Sequence, residues 1–289
     1  MCQSIIPDEI LIIDNGDSPN LNLIAEHYSA RVVRFSGFGK GRLRNFAFKQ
    51  ARNELVIFID DDAMAEPHWL QRLLETTSNH ENVAVVTGPA ITHGTQWTSE
   101  LYNNSKKSRL WRAAFNFYDK YIMLGQFLQV GVKVETGGFS IGGALAESKN
   151  VGEGYLVSSL STCNALIRRS AFESVNGFDE EFYFNNEDGD FFDRVRNAGG
   201  KIFFNPSVVV HHKPSIGQKS RSTPFYDGWD YGRYLFKSCH PKSPSERLGF
   251  VLNIVWLHLF WIFKGAKNRN INQLLAFYGF WASVKKAQR

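Results

Sequence analysis

The sequence predicts an α/β fold: a mostly parallel sheet with helices on both faces, followed by a helical C-terminal segment. Three observations predict it. Short apolar runs alternate with amphipathic stretches from residue 9 to residue 88, the order that builds parallel sheets. The run "LVIFI" at 55–59 is apolar at every position, as a strand covered on both faces requires. Beyond about residue 222 the chain turns to aromatic, basic stretches of helical character.

Taken in order, "EILIID" (9–14) reads as a strand, "NLNLIAEHYS" (20–29) as a helix and "RVVRF" (31–35) as a strand. "GRLRNFAFKQAR" (41–52) reads as an amphipathic helix, and "ELVIFID" (54–60) as the next strand. Pro67 opens "PHWLQRLLETTS", where proline fits the first helical turn. "NVAVVTG" (82–88) supplies another strand. The aromatic stretch "LWRAAFNFYDKYIMLGQF" reads as helical, and the glycine-rich segment 136–154 as a long mobile loop of functional character. "EDGDFFDRVRNAG" has acids in a first helical turn and glycine past its end. "KIFFNPSVVVHH" supplies one or two final strands.

With 289 residues, 43% of them hydrophobic and 14% aromatic, the chain can build a substantial core. Its three cysteines, Cys2, Cys163 and Cys239, are scattered and form no CxxC, which argues against a disulfide framework or zinc site and for a reducing compartment. The opening "MCQSIIPDEILIID" lacks the basic start and long apolar run of a secretory signal. The net charge of +5 is unevenly placed: after Glu246 come only cations, interleaved with apolar runs. Such a tail fits a membrane surface, and equally a helical pair packed on the main domain with solvated lysines. The run "GFVLNIVWLHLFWIF" has 15 residues, roughly 22 Å as a helix, short of the ~20 residues a bilayer crossing needs. Peripheral contact through 247–289, or folding back on the domain, is therefore expected over crossing.

Four motifs carry candidate chemistry. Asp60, Asp61 and Asp62 end an apolar strand, where ligands bind in open α/β sheets. Alternation sends Asp60 and Asp62 to similar sides, where both can present oxygens to Mg²⁺ or Mn²⁺. The bland alternative is a solvated turn capping a helix. "NNEDGDFFDR" holds Glu187, Asp188, Asp190 and Asp193; a helix dipole alone explains acids there, and a general base is the functional alternative. His211 and His212 follow the strand "SVVV" and are either ligands or surface histidines. "FGKGRLRN" (38–45) puts glycines before a basic helix start, which suits an anion, without matching a Walker loop or a dinucleotide fingerprint.

In sequence order, "IIDNGDS", "GKGRLRNFAFKQARNELVIFIDDDA" and "CNALIRRSAFESVNGFDEEFYFNNEDGDFFDRVRNAGGKIFFNPSVVVHH" resemble the inverting family 2 glycosyltransferases of GT-A fold over about residues 5–215. The resemblance implies a GT-A domain over 1–222 and a helical, basic and aromatic segment over 223–289. It implies that Asp14 and Asn15 approach the nucleotide, with Arg44, Asn45, Asp60 and Asp61 also on the nucleotide-sugar. Asp60 and Asp62 would be the DxD, with His211 or His212 near the diphosphate and the metal. Asp188 would be the catalytic base, supported by Glu187. It implies a divalent cation, a UDP- or dTDP-sugar donor, a saccharide or lipid-linked saccharide acceptor and no nucleic acid. It further implies bacterial surface polysaccharide synthesis and a cytoplasmic location, peripheral at the inner face of the plasma membrane. The strand and helix that begin such proteins have no counterpart before "QSIIPDEILIID", an N-terminally shortened arrangement that would leave neighbouring strands unpaired. A nucleotidyltransferase of similar sheet, and an inactive remnant, are the alternatives.

Overall fold

A computed structural model describes residues 3–16, 20–92, 97–150, 152–213 and 223–287. Strand β1 (Leu11–Asp14), helix α1 (Leu21–His27) and strand β2 (Arg31–Arg34) come first. Helix α2 (Lys40–Gln50), strands β3 (Leu55–Ile59) and β4 (Ala63–Ala65) and helix α3 (Trp69–Asn79) follow. Next are β5 (Val83–Thr87), β6 (Ala90–Thr92), α4 (Trp97–Ser105) and α5 (Arg109–Phe117), the last continued by a π-helical turn, Tyr118–Ile122. After 3₁₀ turns at Gly142–Ala144 and Ala146–Asn150 come β7 (Tyr155–Val157), β8 (Asn164–Arg168), α6 (Arg169–Ser174) and α7 (Glu187–Asn197). Strands β9 (Lys201–Phe204) and β10 (Val210–His212) precede helices α8 (Pro224–Ser238), α9 (Pro244–Lys267) and α10 (Leu275–Ala287).

The expectation of a mostly parallel sheet is corrected. The main sheet is mixed, with order β3-β8-β5-β9-β7. Strand β8 runs antiparallel to both β3 and β5, β7 runs antiparallel to β9, and β5–β9 is the parallel pair. The apolar centre of β8, Ala165–Ile167, carries no mark of direction, and the long excursion between β6 and β8 lets the strand enter from the opposite end. Both faces are covered, as the apolar strands require. Ala165 and Ile167 of β8 pack with Phe48, Phe172, Phe191 and Phe192, while Leu166 between them packs with Leu70 and Leu73 on the other face. Buried Asn164 ties the layers, accepting from the Trp69 indole at 2.8 Å and donating to the Val208 carbonyl at 2.8 Å.

Two small sheets flank this one. Strands β1 and β2 pair in parallel with each other, and among the described residues neither joins the main sheet, so β3 is bonded on one side only. Strand β10 runs antiparallel to β4, setting His212 opposite Ala63, and parallel to β6.

Other expectations shift. Pro67 precedes the α3 N-cap, His68, and is not in the first turn. The glycine-rich stretch is packed and not free-standing over its described part: Gly142 is buried where a Cβ would lie 2.4 Å from the Leu128 carbonyl. Helix α9 is longer than the apolar run within it, at 24 residues, because Ser243 and Glu246 form a capping box with Pro244 in the first turn. By length and composition it is apolar enough to cross a bilayer, which removes the length argument against crossing. Helices α8 and α10 meet through small residues. A Cβ on Gly228 would lie 1.8 Å from the Ala276 carbonyl, and one on Gly279 1.9 Å from that of Phe225.

Candidate active site

The end of β3 delivers Asp60 to a cavity of about 780 Å³. Strand β4 turns back from it and pairs with β10, and the Lys213 N–H donates to the Asp62 carbonyl at 2.9 Å. That pairing carries His212 to the carboxylates: its Nε2 lies 2.9 Å from Asp62 Oδ1 and 3.8 Å from Asp60 Oδ2. One ligand atom from each of the three residues falls within 4.8 Å of the others, and all three are half-buried. Two hard oxygens and an imidazole in that span fit a divalent ion.

His211, expected with His212 at the metal, does not join this cluster. Alternation along β10 turns it the other way, with its Nε2 3.6 Å from Glu66. Asp61 is exposed and does not line the cavity.

The cavity also holds Glu187 and Asp188, in the first turn of α7. Asn186 enters that helix at φ +65°, a left-handed conformation that asparagine tolerates. Asp188 Oδ2 accepts from the Thr162 N–H at 3.4 Å, and Oδ1 from the Gly189 N–H at 2.8 Å. Glu187 is buried and bonded to Arg44, itself buried and 5.6 Å above the Phe178 ring. Asp190 and Asp193 belong to the framework: Arg194 and Lys237 hold the first, and Lys133 and Arg196 the second.

Three residues expected near the nucleotide lie elsewhere. Asn45 is committed to the turn before α7, donating to the Phe178 carbonyl at 2.9 Å and accepting the Phe178 N–H at 2.8 Å. Asp14 accepts the Gly16 N–H at 2.9 Å and pairs with Arg34 at 3.2 Å. Neither it nor Asn15 lines the cavity, because β1 belongs to the separate two-stranded sheet. Asp17 and Ser18 of that motif lie outside the described residues.

Two residues in or beside the site were not singled out from sequence. Lys40, at the start of α2, lines the cavity; water reaches its side chain there, although protein surrounds it. Burial and the neighbouring Arg44 lower its pKa, while Asp60 and Asp188 act in the opposite sense. Asp230 of α8 is fully buried, and its carboxylate accepts three backbone N–H groups: Tyr183 at 2.9 Å, Phe184 at 2.7 Å and Asn185 at 2.9 Å. It holds the segment that leads into α7. Burial pushes its pKa up to about 7 against the pull of those donors. An acid among the aromatics of "FYDGWDYGRY", with Asp227 three residues before it, gives no motif to read.

The model for glycosyl transferase family 2 matches residues 3–175, and one described as the N-terminal domain of galactosyltransferase matches 144–215. The chain belongs to glycosyl transferase family 2. It is 28% identical over 247 residues to the succinoglycan biosynthesis protein ExoM of Rhizobium meliloti (strain 1021), covering 80% of this chain and 66% of that protein. It is 23% identical over 238 residues to the O-antigen chain rhamnosyltransferase WbaN of Salmonella anatum, covering 81% of this chain and 64% of that one. The chain thus matches just under two thirds of each relative's length. The solved structure of S. aureus TarS 1-349 in complex with UDP-GlcNAc superposes with a TM-score of 0.56 at 14% identity, over 98% of this chain and 74% of that one. The likeness establishes the GT-A fold.

Proposed function

We propose that this protein transfers a sugar from a nucleotide diphosphate sugar, of the UDP or dTDP class, to an acceptor hydroxyl with inversion at the anomeric carbon. The carrying observation is that Asp60 and His212, with Asp62 beside them, share one cavity with Asp188. Asp188 accepts the proton of the acceptor hydroxyl as its oxygen bonds to the anomeric carbon. The bond from that carbon to the diphosphate oxygen breaks on the opposite face, and a nucleoside diphosphate leaves. Asp60, Asp62 and His212 would hold a divalent cation, Mg²⁺ or Mn²⁺, whose positive charge offsets that building on the leaving group. The imidazole among the donors favours Mn²⁺, since Mg²⁺ prefers oxygen ligands. Lys40 adds a cation on the same cavity wall, and the Arg44–Glu187 pair fixes the floor beneath Asp188.

Family membership favours glycosyl over nucleotidyl transfer. The names of ExoM and WbaN support a role in bacterial polysaccharide synthesis, and the UDP-GlcNAc bound by TarS supports a nucleotide-sugar donor. A saccharide acceptor, free or lipid-linked, fits that role.

The test is Asp188→Asn. Transfer should be abolished while calorimetry still detects binding of UDP with Mn²⁺. Loss of both together would assign Asp188 a structural role instead.

A further inference from the structure

Among the described residues, most of the outer face of α9 is left open to solvent. Its inner face is set by Gly249, Asn253, Leu257 and Trp261, four apart and all buried. A Cβ at Gly249 would lie 2.4 Å from the Tyr121 carbonyl, and the Asn253 amide donates to the Thr136 carbonyl at 2.9 Å. The helix is therefore fixed in rotation. The residues it turns outward are Leu248, Val251, Val255, Leu259, Ile262 and Phe263, each between 49% and 58% exposed. No charged residue interrupts 248–263. A continuous stripe of this kind is unlike the scattered apolar residues of an ordinary soluble surface.

Cations stand beside it. Trp111 of α5 packs edge-on against Phe263, with ring centroids 6.1 Å apart. Around Trp111 the sequence "KKSRLWR" places Lys106, Lys107 and Arg109, all exposed, and Leu110, 79% exposed. Among the described residues no carboxylate lies within ion-pair distance of Lys106, Lys107 or Arg109. At the same C-terminal end of the stripe stand Lys264, 3.8 Å from Asp227, and Lys267, and no acidic residue follows Glu246 in the sequence.

We infer that this face, the apolar stripe of α9 with the cations of 106–109 beside it, docks the protein on an anionic bilayer surface with α9 lying in the interfacial plane. Apolar side chains enter the headgroup boundary while lysine and arginine meet anionic lipid. Crossing is disfavoured although α9 is long enough, because its inner face is bonded to the folded domain and its last turns line the cavity that holds Asp188. A second copy seated on the same stripe would bring two sets of unneutralised cations to one rim, whereas an anionic surface neutralises them. Phe263 lies both on the stripe and on the cavity wall, so the cavity adjoins the docked face. Docking does not depend on the transfer reaction.

Vesicle flotation of the full chain tests this, with phosphatidylcholine alone or mixed with phosphatidylglycerol. The wild type should float with the anionic vesicles and lose that preference in high salt. Val255→Glu with Leu259→Glu, both on the exposed face, should abolish flotation without changing the thermal melt. Replacing Lys106, Lys107 and Arg109 by glutamine should weaken partitioning about a hundredfold, at roughly fivefold per cation near an anionic surface. Wild type left at the bottom of the gradient would overturn the inference. So would a glutamine variant that floats like wild type. Light scattering that shows a wild-type dimer and a monomeric Val255→Glu, Leu259→Glu variant would assign the stripe to a second copy and overturn it as well.

Discussion

Replacing Asp230 by asparagine removes one charge and one acceptor where three backbone N–H groups converge. Two of them, from Phe184 and Asn185, point at Oδ2, and the third, from Tyr183, at Oδ1. An asparagine side chain can keep its oxygen on the Oδ2 side and retain two bonds. Its amide nitrogen then faces the Tyr183 N–H, donor against donor. A buried donor left unsatisfied costs about 1–3 kcal/mol, so stability should fall by that order. The kinetic effect should exceed what stability explains. Tyr183–Asn185 run directly into Asn186 and the first turn of α7, where Glu187 and Asp188 sit. A displacement there of the order of an ångström costs roughly 10²-fold in rate. Turnover with saturating donor and acceptor should drop by about that factor while donor affinity holds. The pH dependence has a defined sign. The folded carboxyl is raised from 3.8 to about 7, so between those values the folded state keeps a proton that the unfolded chain has released. This group's stabilising contribution is complete below 3.8 and is lost as pH rises through about 7. Wild type should therefore lose stability relative to Asp230→Asn across that window, by at most about 1.4 kcal/mol per pH unit. Urea melts at several pH values, paired with initial rates, measure both effects. A variant with wild-type turnover, or a stability difference flat in pH, would refute the reasoning.

Two further outcomes are expected. His212→Ala should weaken Mn²⁺ binding roughly 10–100-fold, the scale seen when a metal site loses a supporting group, while His211→Ala leaves it unchanged; calorimetric titration with Mn²⁺ distinguishes them, and equal effects would undo the placement of His212. Arg44→Met should destabilise by about 3–5 kcal/mol because it strands buried Glu187 without its cation, and adding Glu187→Gln should recover much of the loss. Thermal melts of the two variants check this, and strict additivity would count against a coupled pair.

The strand that carries the acidic residues was legible because "LVIFI" is apolar throughout, and such a run must be buried on both faces. Its neighbour's direction was hidden: the apolar centre of β8, Ala165–Ile167, fits either way, and the strand runs antiparallel. Choosing between His211 and His212 needed the pairing of β10 with β4, a contact across some 150 residues of sequence that no local pattern encodes. The family resemblance implies Asp14 and Asn15 near the nucleotide, yet among the described residues β1 pairs only with β2 and neither residue lines the cavity. The start of α9 is encoded in "SPSE", a serine cap with proline and glutamate following, which lies before the apolar run and so extends the helix beyond the bounds that run implies. Lys40 fell within a segment read as suited to an anion. Asp230 had no signal beyond being an acid on a helix rich in aromatics.

The proposal that Asp188, and not a neighbouring acid, is the base rests on how the surrounding carboxylates are occupied. Arg44 holds Glu187, Arg194 and Lys237 hold Asp190, Lys133 and Arg196 hold Asp193, and Arg233 and Lys237 hold Asp179. A carboxylate locked in such a pair has its oxygens committed to a cation and does not present them to an incoming hydroxyl. Burial also keeps an incoming hydroxyl from reaching it. Asp188 differs on both counts. Among the described residues its carboxylate accepts only backbone N–H groups, and it faces the cavity half-buried. The dense pairing around it fixes α7, so Asp188, which among the described residues has no side-chain cation on its carboxylate, is held in place without being neutralised. A base needs that combination, since it must be positioned by its surroundings yet remain free to take a proton. Converting a paired neighbour such as Asp190 to asparagine should therefore lower stability without removing proton acceptance.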